Sequence, residues 1–343
     1  MENKSASGSV DTNAVPEDVT RESKAKKIII DTDPGIDDAM AILMAFNSPE
    51  LEVLGLTTVF GNVTTALATT NALHLCEVAG QHAIPVAQGE PRPLSGEEPL
   101  PADFVHGTDG LGNTNPAAPS GRAHESAAVD FLIAAVNKLP GEITVVALGP
   151  CTNIAKAIQL DPSFAKKVAQ IVFLGGCFFR SGNVNPACEA NVFCDPKAAD
   201  VVFTSGADVL VVGLNVTERV VLTTSDLERI GNSGTKFGRY IAEVVKFYAE
   251  WHLKSDHLQG IFVHDPSAMT AAIDPSLFSW KEGVVRVAET GLCRGHTLLD
   301  MGTKKWGENG NPWVDQPKVK VALDVRAEEV KRLIMNRLMS ETT

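Results

Sequence analysis

The chain has 343 residues, 44% of them hydrophobic, enough to bury one large core or two modest ones. Its 30 Lys and Arg against 42 Asp and Glu leave a formal charge of −12, which excludes a nucleic-acid-binding surface, because phosphate recognition needs a basic face. No apolar run approaches the roughly 20 residues of a membrane span, and no basic-then-apolar stretch directs the N-terminus to export. A cytoplasmic protein with a small neutral or cationic substrate is expected.

Residues 1–25 are polar and rich in Ser, Asn, Glu and Lys. Such a segment does not recover its ordering entropy, so a disordered tail is expected there, followed by a single domain over 26–343. Six cysteines (Cys76, Cys151, Cys177, Cys188, Cys194, Cys293) form no CxxC pair and read as reduced thiols.

From Ile28 the pattern alternates. A β-branched run predicts strand 28–32, Pro34-Gly35 forces a turn, and helix 37–46 follows. Then come strand 52–59, helix 64–80, a short strand at 84–87, and a Pro/Gly-rich loop 89–121 long enough to be functional. Helix 125–138, strand 143–148, a helix capped by Thr152 and running through Leu160, strand 170–175, helix 196–204 and strand 208–214 continue the alternation. A long amphipathic helix over 234–253 leads to His264-Asp265-Pro266, which reads as a loop, and helix 326–338 closes the chain. Strands near 283–289 and 318–324 alternate apolar and polar residues, which predicts an antiparallel addition at the sheet edge. The fold class is therefore α/β: an open, largely parallel, doubly wound (Rossmann-like) sheet with helices on both faces and an antiparallel edge.

The chemistry concentrates where strand 28–32 ends. Asp31, Asp33, Asp37 and Asp38 crowd four carboxylates into eight residues beside a buried strand; unless a cation compensates, desolvation drives such acids toward neutrality. Oxygen ligands without nearby His or Cys favour calcium or magnesium over zinc. Ligands of open α/β sheets bind at the carboxyl ends of strands, and Asp33, Asn62, Leu148 and Gly175 all fall there. The Leu148 carbonyl is placed to face a metal, and Asp265 to complete the oxygen set of Asp33 and Asp38, leaving His264 or the loop residue His106 for a bound ligand. Asn183, Glu189 and Asn191 offer donors and acceptors suited to vicinal hydroxyls. Taken singly, Asn62 and Asn183 read equally as turn residues and Glu189 as a surface charge.

The motifs D-T-D-P-G-I-D-D-A (31–39), T-T-V-F-G-N (57–62), H-G-x-x-G-x-G from His106, A-L-G-P-C-T-N-I-A (147–155), N-x-x-x-x-x-E-x-N (183–191) and H-D-P (264–266) together resemble the inosine-uridine preferring nucleoside hydrolases. Within the family the chain is most similar to the plant uridine and purine ribohydrolases. The resemblance implies calcium-dependent hydrolysis of the N-glycosidic bond of ribonucleosides by a homodimer or homotetramer. It implies one Ca²⁺ per subunit on Asp33, Asp38, the Leu148 carbonyl and Asp265, and a ribose gripped by Asp37, Asn62, Asn183, Glu189 and Asn191. Asp33 would also act as general base toward the attacking water, with His264 or His106 assisting the leaving base.

One departure bears on substrate choice: the family commonly places an aromatic residue after the ribose-binding Glu, and here that residue is Ala190. Tyr248, Trp251, His252 and Asp256 are the alternatives for contacting the base. Two rival readings are a calcium-dependent riboside-binding protein without turnover and a magnesium phosphoryl transferase. The first is disfavoured by the presence of both His106 and His264, the second by Gly35 two residues after Asp33.

Overall fold

A computed structural model describes residues 25–340. The expected N-terminal tail thus lies, apart from Ala25, outside the described residues. The chain runs β1 (Lys26–Thr32), α1 (Ile36–Phe46), β2 (Leu51–Thr58), α2 (Thr65–Ala79), β3 (Val86–Gln88), α3 (Asp103–His106), α4 (Ala128–Lys138), β4 (Ile143–Ala147), α5 (Thr152–Leu160), α6 (Phe164–Lys167) and β5 (Gln170–Leu174). It continues α7 (Ala190–Cys194), α8 (Pro196–Phe203), β6 (Val209–Val212), α9 (Leu214–Thr217), β7 (Val221–Thr223), α10 (Thr224–Gly231), α11 (Lys236–Ser255), β8 (Gly260–Phe262), α12 (His264–Ile273), β9 (Phe278–Val287), β10 (Thr297–Asp300), β11 (Val319–Val325) and α13 (Ala327–Met339).

Nine strands form one sheet in the order β10-β9-β11-β6-β5-β4-β1-β2-β3. From β3 to β6 every pairing is parallel, as the unbroken β-branched strands predict. Ile28 and Ile30 pack into the core on one face, with α1, α2, α11, α12 and α13. Ile29 packs into the core on the other, with α4, α5, α6 and α8. The run is apolar throughout because alternate side chains serve opposite cores.

The sub-order β3-β2-β1-β4-β5-β6 reverses its direction of growth between β1 and β4, the crevice where open α/β sheets bind ligands. Asp33 and Leu148, just beyond the ends of those two strands, are brought there by the topology.

Two expectations are corrected in part. Strand β9 is antiparallel to both neighbours, β10 and β11, as the alternation predicts; β11, however, runs parallel to β6 and so joins the main sheet rather than extending an antiparallel edge. His264-Asp265-Pro266 is not a loop but the first turn of α12, where proline is tolerated because its missing N–H would have no helical partner. Helix α12 is buried from Asp265 through Ala272, so its sequence lacks the amphipathic period that marks a surface helix. Its buried hydroxyls are satisfied internally, Ser267 Oγ donating to the Val263 carbonyl at 2.6 Å and Thr270 Oγ1 to that of Pro266 at 2.8 Å.

Candidate active site

A cavity of about 350 Å³ opens at the switch point, with Asp37, Asn62, Leu148, Glu189, His264 and Asp265 in its wall. At its floor, carboxylate oxygens of Asp37, Asp38 and Asp265 lie within 4.8 Å of one another, and all three residues are buried. They come from the first turns of α1 and α12, whose N-terminal ends favour negative charge. Asp38 is held tightly. Its Oδ1 accepts from Thr32 Oγ1 at 2.5 Å, and its Oδ2 from the Gly35 N–H at 3.0 Å and from Asn62 Nδ2 at 2.9 Å.

Asp33 lies beside this group. Its Oδ2 accepts from the Asn62 N–H at 2.6 Å, whereas its Oδ1 is buried with no hydrogen-bond partner among the described residues. The carboxylate fits only because glycines flank it: a Cβ on Gly61 would stand 2.0 Å from Oδ2, and one on Gly149 2.5 Å from Oδ1.

Burial, and then the charge of Asp38, pushes Asp33 well above the carboxylate range and Asp37 up to about 7. Burial and the charges of Asp37 and Asp38 do the same to Asp265. Among the described residues, no lysine or arginine stands among the main charges acting on these acids. An oxygen-only cluster with an unpaired buried oxygen and no cationic partner has the chemistry of a hard-cation site. The tightest grouping contains Asp37 where the sequence reading has Asp33, and the Leu148 carbonyl accepts from Asn191 Nδ2 at 2.5 Å.

The histidines are fixed by their partners. The Ile36 N–H donates to His106 Nδ1 at 3.1 Å, and a backbone N–H can only donate, so His106 carries its proton on Nε2. His264 Nδ1 is 2.8 Å from Thr217 Oγ1. Burial lowers both, His106 to about 4 and His264 to about 3, so both imidazoles are neutral at pH 7. His106 ends α3 rather than lying on a loop, and the loop that follows it is tied to the acidic turn through Asn71, whose Nδ2 donates to the carbonyls of Pro34 at 3.1 Å and Asp109 at 2.9 Å.

Glu189, Asn191 and Asn183 close the other side of the cavity. Glu189 caps α7, accepting from the N–H groups of Gly176, Asn191 and Val192 at 2.9, 2.7 and 3.0 Å. Burial still raises its pKa, against those three bonds. Asn191 Nδ2 also donates to the Leu174 carbonyl at 3.1 Å, bridging the ends of β4 and β5. Asn183 is exposed at the rim, where its Oδ1 accepts from the Ala190 N–H at 3.0 Å.

Residues 28–332 match the family model described as inosine-uridine preferring nucleoside hydrolase. The chain belongs to that family. It is 54% identical over 316 residues to uridine nucleosidase 1 of Arabidopsis thaliana, covering 92% of this chain and 94% of that protein. It is 34% identical to the inosine-uridine preferring nucleoside hydrolase of Crithidia fasciculata, over 91% of this chain and 97% of the relative. A solved plant nucleoside hydrolase, the PpNRh1 enzyme, superposes with a TM-score of 0.91 at 52% identity, over 92% of this chain and all of that one. This nucleoside hydrolase is thus an enzyme of N-ribosyl bonds, not a phosphoryl transferase.

In this hydrolase the four residues considered for the base divide into two pairs. Tyr248 and Trp251 line the cavity with parallel rings, centroids 6.2 Å apart, and Tyr248 stacks on His106 at 5.4 Å. His252 and Asp256 are not in the wall: the buried His252 is hydrogen-bonded through Nδ1 to Asp256 at 2.9 Å and packs edge-on against Tyr248. Along α11, Tyr248, Trp251 and Ser255 meet the cavity, while His252, one turn after Tyr248, packs beside them and outside the wall. Sequence reasoning passed over Thr32, Asn153 and Thr217. Asn153 lies within the A-L-G-P-C-T-N-I-A motif, which was a signal; its Nδ2 donates to Asp31 Oδ1 at 2.7 Å and to the Thr58 carbonyl at 3.0 Å. Thr32 follows Asp31 directly and was equally within view. Thr217 stands in no motif.

Proposed function

We propose that this hydrolase cleaves ribonucleosides (uridine, inosine, xanthosine or related purine or cytokinin ribosides) to ribose and free base, with one calcium ion per subunit. The observation that carries the reading is the convergence of Asp37, Asp38 and Asp265 beside the unpaired Asp33 Oδ1. The residues that would hold the cation are these four acids, with the Leu148 carbonyl at hand. When bound, calcium lowers the pKa of water and orients vicinal hydroxyl oxygens.

On this reading the chain's own groups divide the rest of the work. Asn62, Asn183, Glu189 and Asn191, with Asp37, hold the ribose hydroxyls, their fixed hydrogen bonds presetting the grip. Asp33 takes a proton from the water that attacks C1′. The C1′–N bond breaks with its electron pair going to the base, and the buried carboxylates stabilise the positive charge that develops on the sugar. His106 and His264 hydrogen-bond the departing base, and Tyr248 and Trp251 supply flat surface for it.

Uridine as a substrate is supported by the names of the plant relatives, and inosine by that of the Crithidia enzyme. We also read residues 26–343 as a single catalytic domain, the enzyme as a homodimer or homotetramer, and its setting as cytoplasmic. The free state of all six cysteines supports a reducing compartment. Among the described residues no helix is long and apolar enough to cross a membrane.

The deciding experiment assays free ribose from a panel of ribosides with and without a chelator. Release that the chelator stops and calcium restores is expected. Saturable binding of uridine without ribose release would replace the enzyme with a riboside-binding protein, and activity indifferent to the chelator would remove the metal.

A further inference from the structure

We propose that Thr217 is a positioning residue whose hydroxyl donates to His264 Nδ1, holding the imidazole as the tautomer with its proton on Nε2. The inference rests on the reading, given above, that His264 acts on the departing base.

Thr217 ends α9, is fully buried, and places Oγ1 2.8 Å from His264 Nδ1. A hydroxyl has one proton to give. A helical threonine commonly gives it to the carbonyl four residues back, but here the Gly213 carbonyl already accepts from the N–H groups of Val216 at 3.0 Å and Thr217 at 3.2 Å. No other partner of Thr217 Oγ1 stands among the described residues. Were His264 protonated at Nδ1, alone or at both nitrogens, Oγ1 would have to accept, and its own proton would be buried without a partner. That arrangement is costly. The hydroxyl therefore donates, Nδ1 is the lone pair, and Nε2–H is left for the cavity that His264 lines.

Helix α9 is anchored on both sides of Thr217. It is short, yet Asn215 Nδ2 ties it to the Ala322 carbonyl of β11 at 2.8 Å, and Glu218, just beyond it, pairs with Arg180. His106 reaches the same tautomer independently, through the Ile36 N–H. Two neutral imidazoles thus offer Nε2–H donors to one cavity.

The chemical consequence is specific. As the C1′–N bond breaks, its electron pair moves onto the base, and the Nε2–H of His264 hydrogen-bonds to that growing negative charge while its proton stays on the imidazole. The released base then takes a proton from water. A neutral imidazole can serve as such an electrophile, and no charged histidine is needed beforehand.

The test compares Thr217→Val, Thr217→Ser and His264→Ala in the full chain, with uridine, inosine and 4-nitrophenyl riboside, whose leaving group needs no such help. Thr217→Val should lower kcat for the nucleosides about 10-fold while KM stays within about 2-fold, and should spare the nitrophenyl riboside; Thr217→Ser should restore the loss. Imidazole nitrogen NMR of the wild type, assigned against His264→Gln, should show His264 protonated at Nε2. Protonation at Nδ1, full nucleoside activity in Thr217→Val beside an impaired His264→Ala, an equal loss on the nitrophenyl riboside, or no recovery in Thr217→Ser would each overturn the inference. Undiminished nucleoside turnover in His264→Ala would instead overturn the leaving-group reading beneath it, and the catalytic consequence drawn here with it.

Discussion

Asp38 and Asp265 stand with carboxylate oxygens within 4.8 Å of each other, in the first turns of two helices far apart in the chain. Both are buried, and among the described residues no basic side chain neutralises the pair. What separates two such charges, a proton or a cation, decides how the hydrolase behaves.

Calcium is therefore expected to stabilise the fold. Ligand at about 100 times its dissociation constant contributes about 2.7 kcal/mol, which for a chain of this size raises the melting temperature by a few degrees. Scanning calorimetry with calcium and with chelator measures it. Asp265→Asn should abolish the calcium-dependent rise; a wild-type response in that variant would place the ion elsewhere.

Asp33→Ala should remove ribose release, by about 10³-fold or more, since a positioned base alone contributes about 10²–10⁴. Steady-state assays with uridine decide this. Turnover above a tenth of wild type would show that another group takes the water's proton.

Gly149→Ala tests the packing that shapes the same carboxylate. The added Cβ would meet Asp33 Oδ1 at 2.5 Å, and overpacking of this kind costs about 1–3 kcal/mol. Both turnover and the denaturation midpoint should fall. Gly307→Ala, where nothing lies within 4 Å, serves as the control and should change neither.

Trp251→Ala should raise KM for nucleosides by up to about 10-fold, because aromatic stacking contributes about 0.5–1.5 kcal/mol. The kcat should change less than KM. An unchanged KM would mean that the base does not use the Tyr248–Trp251 surface.

Thiol chemistry offers a check on burial. Burial disfavours the thiolate and pushes Cys76 up to about 12 and Cys177 and Cys188 up to about 11. Below those values the unreactive thiol dominates, so at pH 7 to 9 these three should resist iodoacetamide in the native protein. The exposed Cys293 should be labelled, as peptide mass mapping would show. Rapid labelling of Cys177 or Cys188 would mean that the segment preceding Glu189 opens in solution.

The sequence alone determined the sheet and most of the acidic floor. Ile28, Ile29 and Ile30 betray a strand buried on both faces, and the turn after them must bring Asp33, Asp37 and Asp38 together, because local chain geometry leaves them nowhere else to go. Tertiary structure decided the rest. Asp265 reaches Asp38 only because α12 is threaded through the core, a helix with no amphipathic signature to announce it. The separation of Tyr248 and Trp251 from His252 and Asp256 depends on which side of α11 meets the cavity, and periodicity fixes a helix's faces without fixing their neighbours. Thr217 was invisible for the same reason: a threonine at the end of a short helix gains meaning only when the fold brings His264 Nδ1 to 2.8 Å from its hydroxyl. Short-range contacts follow from residue order, whereas long-range ones follow from how the helices pack on the sheet.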